Sequence, residues 1–120
     1  MKLFLFTLLY TVFAFGAEPA KTDYELVAAS QTTQVIGPQS ATSAASIGDI
    51  LERVIIIPET TAAGTVAIKD GGGTAINIMV TGTLSDLKPH IVYLGARSTA
   101  GAWQITTGAN VHVIAIGRFK

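Results

Sequence analysis

Apolar and polar residues alternate in short runs through most of this chain, and Gly, Pro, Thr and Ser interrupt the runs about every ten residues. Thr65–Asp70 (TVAIKD) and Thr74–Val80 (TAINIMV) form the clearest pair. Val66 and Ile68 share one face of the first run, and Ile76, Ile78 and Val80 share one face of the second. Asp70-Gly71-Gly72-Gly73 lies between them and supplies residues that accept positive φ, as a tight hairpin loop requires. Asp49–Ile57 (DILERVIII) is a strong element of another kind. Val54 to Ile57 are all β-branched, which favours a strand, and the unbroken apolar run predicts that both of its faces are covered.

Weaker strands are predicted at Tyr24–Ala28 and Thr33–Ile36, the latter stopped by Gly37-Pro38. Gln39–Ser46 is small and polar and reads as a loop. His90–Leu94 is a strand ended by Gly95, with Arg97 in a turn over Gly95–Ser98. Gly101–Thr107 places Trp103, Ile105 and Thr107 on one face. After a Gly108-Ala109-Asn110 turn, Val111–Ile116 is the last strand, with Val111, Val113 and Ala115 opposite His112, Ile114 and Ile116. Helix is compatible with the pattern only near Ile47–Arg53. Short strands at this spacing predict an all-β domain over residues 24–120, an antiparallel β-sandwich or jelly roll.

The N-terminus departs from this pattern. Lys2 precedes a 13-residue, mostly apolar run, Leu3–Phe15, and Ala14-Phe15-Gly16 offers small residues ahead of Ala17. Residues 1–16 therefore read as a signal-peptide-like leader cleaved before Ala17, or as an uncleaved hydrophobic arm. The run is shorter than the about 20 residues of an ordinary membrane-spanning helix, so membrane contact is expected only through residues 1–16. Residues 17–23 form a polar linker.

Composition narrows the function. The chain of 120 residues is 49% apolar and 13% charged, too apolar for a disordered segment. Formal net charge is zero, and without residues 1–16 seven basic residues face eight acidic ones. Lys69, Lys88, Arg97, Arg118 and Lys120 are scattered among segments, so nucleic acid is not an expected partner. There is no cysteine, which removes disulfides, thiolate metal sites and a Cys nucleophile. Low charge on a small domain favours association.

The chemistry-bearing residues do not form a motif. His90 and His112 lie on separate strands without the spacing of a helical metal pair. Among the acids, Asp70 reads as the turn residue before Gly71, and no acids alternate as in a calcium loop. Gly71–Gly73 lacks the Lys-Ser/Thr sequel and the helix of a phosphate loop. No serine stands in a G-x-S-x-G setting. Trp103 reads as a core residue. No catalytic, cofactor-binding or metal residue is expected, and the chain reads as a binding or assembly protein, not an enzyme. Arg97, a planar donor suited to a partner carboxylate, is the one side chain singled out for partner contact.

The stretch from Ala29 to Phe119 resembles a group of small tailed-phage virion proteins. The resemblance rests on Ala29-Ser30-Gln31-Thr32, Val35-Ile36-Gly37, Gly48-Asp49-Ile50-Leu51 and Ile57-Pro58-Glu59-Thr60-Thr61. It continues in Gly64–Gly71 (GTVAIKDG), Leu87-Lys88-Pro89, Leu94–Ser98 (LGARS), Gly101-Ala102-Trp103 and Thr107–Val111 (TGANV). It implies a β-sandwich capsid decoration or cement protein, located on the capsid surface of the virion. Such a protein binds the major capsid protein where subunits meet and is often a homotrimer. The leader is unusual for a virion protein and supports a second expectation, an exported (secreted or periplasmic) binding module that recognises a glycan or a surface protein.

Overall fold

The computed structural model describes residues 22–80 and 87–120. The leader at residues 1–16, most of the linker, and residues 81–86, where Gly and Thr in Thr81–Ser85 predict a turn, lie outside the described residues. About half of the described residues lie in eight strands, the rest being turns and loops apart from one short 3-10 turn: β1 (Asp23–Val27), β2 (Gln34–Val35), β3 (Ile50–Pro58), β4 (Val66–Asp70), β5 (Ile76–Met79), β6 (His90–Arg97), β7 (Trp103–Thr107) and β8 (Val111–Arg118).

The pairing is nested. β1 pairs with β8, β2 with β7, β3 with β6 and β4 with β5, all antiparallel. The chain is thus one long hairpin with its tip at β4–β5. Two further pairings, β3 with β8 and β4 with β7, join its limbs sideways. The result is two four-stranded sheets, β1-β8-β3-β6 (sheet 1) and β2-β7-β4-β5 (sheet 2). Every connection except the β4–β5 turn crosses from one sheet to the other. Eight strands wound in this order form a jelly roll, which decides between the two architectures the sequence allowed.

The sheets face each other across one apolar layer. Sheet 1 contributes Val27, Leu51, Val54, Ile56, Val111, Val113 and Ala115, and sheet 2 contributes Val66, Ile68, Trp103 and Ile105, all buried. Alternation along each strand dictates these choices, because every second side chain points to the same face. Each buried Val, Leu or Ile contributes about 1.5–3 kcal/mol relative to exposure. The Trp103 indole N–H donates to the Asp49 carbonyl oxygen at 3.1 Å, which settles its one polar atom inside this layer.

Three local expectations change. Gly95 does not end β6. It takes φ +58° inside the strand, where the register between β3 and β6 shifts, so it forms a bulge and the ladder continues to Arg97. Arg97 is therefore a strand residue and not a turn residue. Gly117 likewise lies within β8, where a Cβ would collide with the Ile50 carbonyl oxygen of the neighbouring strand. Finally, Ile47–Arg53 is not helical. A single 3-10 turn falls earlier, at Ala44–Ser46, capped by the Ser43 hydroxyl, and β3 begins at Ile50.

Candidate functional site

Sheet 1 carries apolar side chains on its outer face as well as its inner one. The strand registers place Tyr24, Ile116, Arg53 and Tyr93 in one row across all four strands, and Leu26, Ile114, Ile55 and Ile91 in the next. His112 and Ile57 form part of a third row. Tyr24 is 77% exposed, Tyr93 72%, Leu26 56% and Ile91 49%, while the isoleucines of the two central strands are half-buried between them. The sequence predicts β3 covered on both faces. Here sheet 2 covers only the inner one, since Val54 and Ile56 are buried and Ile55 and Ile57 remain partly open.

Polar groups bracket this surface. At one end Ile50 is paired on both sides with arginines, Arg118 of β8 and Arg97 of β6. At the other end the Glu59 carboxylate lies 3.0 Å from His112 Nδ1. Arg53 lies within the first row, 3.9 Å from Glu52.

The arginine end opens into a groove lined by Asp23, Ile47, Arg97, Arg118, Phe119 and Lys120. Its floor is a hydrogen-bonded knot. Asp49 is fully buried, and its Oδ1 accepts the Lys120 backbone N–H at 3.0 Å. The Ser98 backbone N–H donates to the Asp49 carbonyl at 2.8 Å, and the Ser98 hydroxyl donates to the Ser46 carbonyl at 2.7 Å. Asp49 Oδ2 and the Ser46 hydroxyl are buried and accept no partner among the described residues. Asp49 thus fastens the chain terminus beneath Arg97. Its membership of a buried knot carries no signal in the sequence, where it reads as the first residue of a strand.

Other chemistry-bearing residues serve the fold. Asp70 is a turn residue, as expected, and also a strap. Its carboxylate accepts the backbone N–H groups of Thr99 (2.8 Å) and Ala100 (3.1 Å) and the Thr99 hydroxyl. Glu25 accepts from the Gln34 side chain and the Gly37 N–H, tying β1 to the chain after β2. His90 and His112 stand on the two outer-face strands β6 and β8, separated by β3. Among the described residues, no three His, Asp or Glu side chains cluster closely enough to hold a metal ion.

Reading residues singly finds Arg97, exposed at one end of sheet 1, but misses Tyr24, Leu26, Ile91 and Tyr93 as a set. The signal that finds them is two-faced apolarity in a two-layer fold. A strand in a sandwich has one face against the partner sheet, so apolar residues on both faces leave one set facing outward.

Comparison with protein-family models, with curated proteins and with solved structures finds no match for this chain.

Proposed function

We propose that this protein is a structural virion component, a capsid decoration or cement protein that binds the major capsid protein where subunits meet. The observation that carries the reading is the outer face of sheet 1. A mostly apolar surface spanning four strands marks an interaction site, which supports a chain that works as part of an assembly. The jelly-roll order, an architecture used by viral capsid and lectin domains, supports the same reading. The resemblance carried by the GTVAIKDG, LGARS and TGANV segments supplies the virion setting. Arg97, beside Arg118 at the rim of that face, offers a planar donor for a capsid carboxylate. A homo-oligomer is part of the proposal.

The test is mass spectrometry of purified virions of the phage that encodes the chain. The expected result is this chain in fixed ratio to the major capsid protein, with peptides from the region 1–16 present. A chain found only outside particles, with its N-terminus at Ala17, refutes the virion reading.

That refuting result would favour an exported binding module. One observation supports this second reading. Half of the four aromatic residues outside the leader, Tyr24 and Tyr93, stand exposed on the outer face of sheet 1. Exposed rings are what glycan stacking uses. They lie on the two edge strands, about 14 Å apart by strand spacing.

A further inference from the structure

We infer that the outer face of sheet 1 is a self-association surface. On it two copies of this chain stack face to face about a two-fold axis that lies in the interface and runs across the strands. The inference rests on the reading of that face as a contact surface and names its occupant.

Size is the first support. The two tyrosines, each about three-quarters exposed, present about 150 Å² apiece. The flat footprint of four strands about 4.8 Å apart and up to nine residues long is on the order of 500 Å². Side-chain relief raises the accessible area towards the about 800 Å² per partner that a standard interface buries. The largest apolar patch on an ordinary monomer is about 300–600 Å².

Shape is the second. Both rows carry a large exposed side chain on each edge strand, Tyr24 and Tyr93 in the first and Leu26 and Ile91 in the second; between them stand Ile116 and Arg53 in the first row and Ile114 and Ile55 in the second, so the Arg53 stem lies over Ile55 of the second copy. An axis between these rows lays each row of one copy on the other row of its mate. Tyr24 then covers Leu26 of the second copy, and Tyr93 covers Ile91. Two twisted sheets about 10 Å apart pack in this way inside any aligned sandwich.

Charge is the third, and it selects this axis. The same rotation lays the Arg118-Ile50-Arg97 row over the row holding His112 and Ile57 of the second copy. The Glu59 carboxylate sits at that level, 3.0 Å from His112 Nδ1. Each arginine end thus meets an acid, twice per dimer by symmetry. A two-fold axis along the strands would instead gather the arginines of both copies at one end of the interface, with Arg118 over Ile50 of the second copy, and leave both Glu59 carboxylates at the other end.

The test is sedimentation velocity of the full chain across a concentration series. A concentration-dependent dimer is expected. Leu26→Glu, at an exposed position that leaves the fold intact by circular dichroism, is expected to weaken it at least about tenfold. Glu59→Arg and Arg118→Glu are each expected to weaken it about three- to tenfold, and the double variant to recover most of the loss. Because the chain has no cysteine, Tyr24→Cys mixed with Leu26→Cys gives a clean second readout, a heterodimer trapped by a short bis-maleimide. A monomer at 100-fold above micromolar concentration overturns the inference, as does a trimer, or association that Leu26→Glu leaves untouched, which points to residues 3–15 as the contact. If the wild type stays monomeric while Leu26→Glu abolishes virion incorporation, the face belongs to the capsid: the self-association inference falls and the assembly reading stands. A dimer absent from virions does the reverse.

Discussion

The two sheets of this sandwich present opposite outer faces. On sheet 2 the outward positions are Val35, Ala67, Lys69, Asn77, Gln104 and Thr106, and the chain uses several of them internally. The Gln104 side chain donates to the Gly71 carbonyl at 2.6 Å and is buried beneath the β4–β5 turn. The Thr106 hydroxyl accepts the Thr33 N–H at 3.0 Å. On sheet 1 the two middle rows hold Tyr24, Leu26, Ile55, Ile91, Tyr93, Ile114 and Ile116 with a single charge, Arg53, and nothing in the described chain covers them. The outer face of sheet 2 is mostly polar, as a solvated antiparallel sheet's should be, with Val35 on it half-buried and Ile76 exposed at the β5 edge. Sheet 1 has two inner faces and only one neighbour. Both sheets share one core, so the difference does not arise from folding. It leaves sheet 1 with an exposed apolar face that sheet 2 lacks.

Adjacent isoleucines of β3 test this most sharply. Ile56 points into the core and Ile55 points outward, one residue apart on the same strand. Ile56→Ala is expected to cost about 2–5 kcal/mol. Ile55→Ala is expected to cost about 1 kcal/mol or less in urea unfolding at a concentration where the chain is monomeric. The Ile55 cost should then grow with protein concentration, because a bound partner stabilises only the folded state. Equal costs at high dilution would show that the outer face is already covered within one chain, and the contrast between the sheets would disappear.

That pair also shows what the sequence made legible. Strand identity was readable wherever β-branched or alternating residues met turn residues: VIII and VHVIAI fall wholly in strands, TVAIKD does so apart from Thr65, and TAINIMV over Ile76–Met79. All-β architecture followed from their spacing. Strand order did not, because nested pairing is decided by which edges meet in space, and no local pattern encodes it. The ends of β6 and β8 were misjudged for one reason. Glycine stops a strand in isolation, but inside a sheet Gly95 makes a bulge and Gly117 a close approach, and both depend on the neighbouring strand. Arg97 was legible as an exposed side chain and illegible as a strand residue. The candidate face was visible only as apolar excess, until pairing put Tyr24 and Tyr93 at the ends of one row.

The next largest effect belongs to the corner where β1 crosses over to sheet 2. The Thr107 hydroxyl is buried, donates to the Ala28 carbonyl at 2.6 Å and accepts the Gln31 N–H at 3.0 Å. Thr107→Val keeps the volume and leaves two backbone groups unpaired, so a loss of about 1–3 kcal/mol is expected. Thr106→Val, one residue away on the open face of sheet 2, removes a single exposed bond that water can replace, and about 0.5 kcal/mol is expected. Chemical denaturation of the two variants reads the difference directly. Similar losses would mean that the outer face of sheet 2 is as tightly engaged as its inner one.

A smaller effect of opposite sign is expected in the same corner. Thr33 holds φ at +47°, a left-handed conformation that β-branched residues avoid. Its backbone N–H is anchored by Thr106 and its side chain is exposed, so the sheet imposes the strain. Thr33→Gly removes that strain and should raise stability by about 0.5–1 kcal/mol, less the entropy that glycine adds to the unfolded chain. A loss measured by thermal unfolding would show that the threonine hydroxyl or methyl makes a contact worth more than the strain.

The smallest stability changes should come from exchanging character between the two outer faces, and these separate folding from assembly best. Tyr24→Lys adds charge to sheet 1, and Asn77→Ile adds an apolar side chain to sheet 2. Both positions are exposed, so each variant should unfold within about 0.5 kcal/mol of the wild type at high dilution. Binding of an apolar-surface dye should nevertheless move in opposite directions, falling for Tyr24→Lys and rising only slightly for Asn77→Ile. The asymmetry follows from context. Tyr24 adjoins Ile116 in its own row and Leu26 and Ile114 in the next, so a lysine there shrinks a contiguous apolar surface that Arg53 already bounds, whereas an isoleucine beside Ala67 and Thr106 stands alone. An isolated apolar residue on a polar face is ordinary, and only contiguity makes a surface that a partner must cover. If Asn77→Ile raised dye binding as much as Tyr24→Lys lowered it, the two faces would differ in composition alone, and the row across sheet 1 would lose its standing as a contact surface.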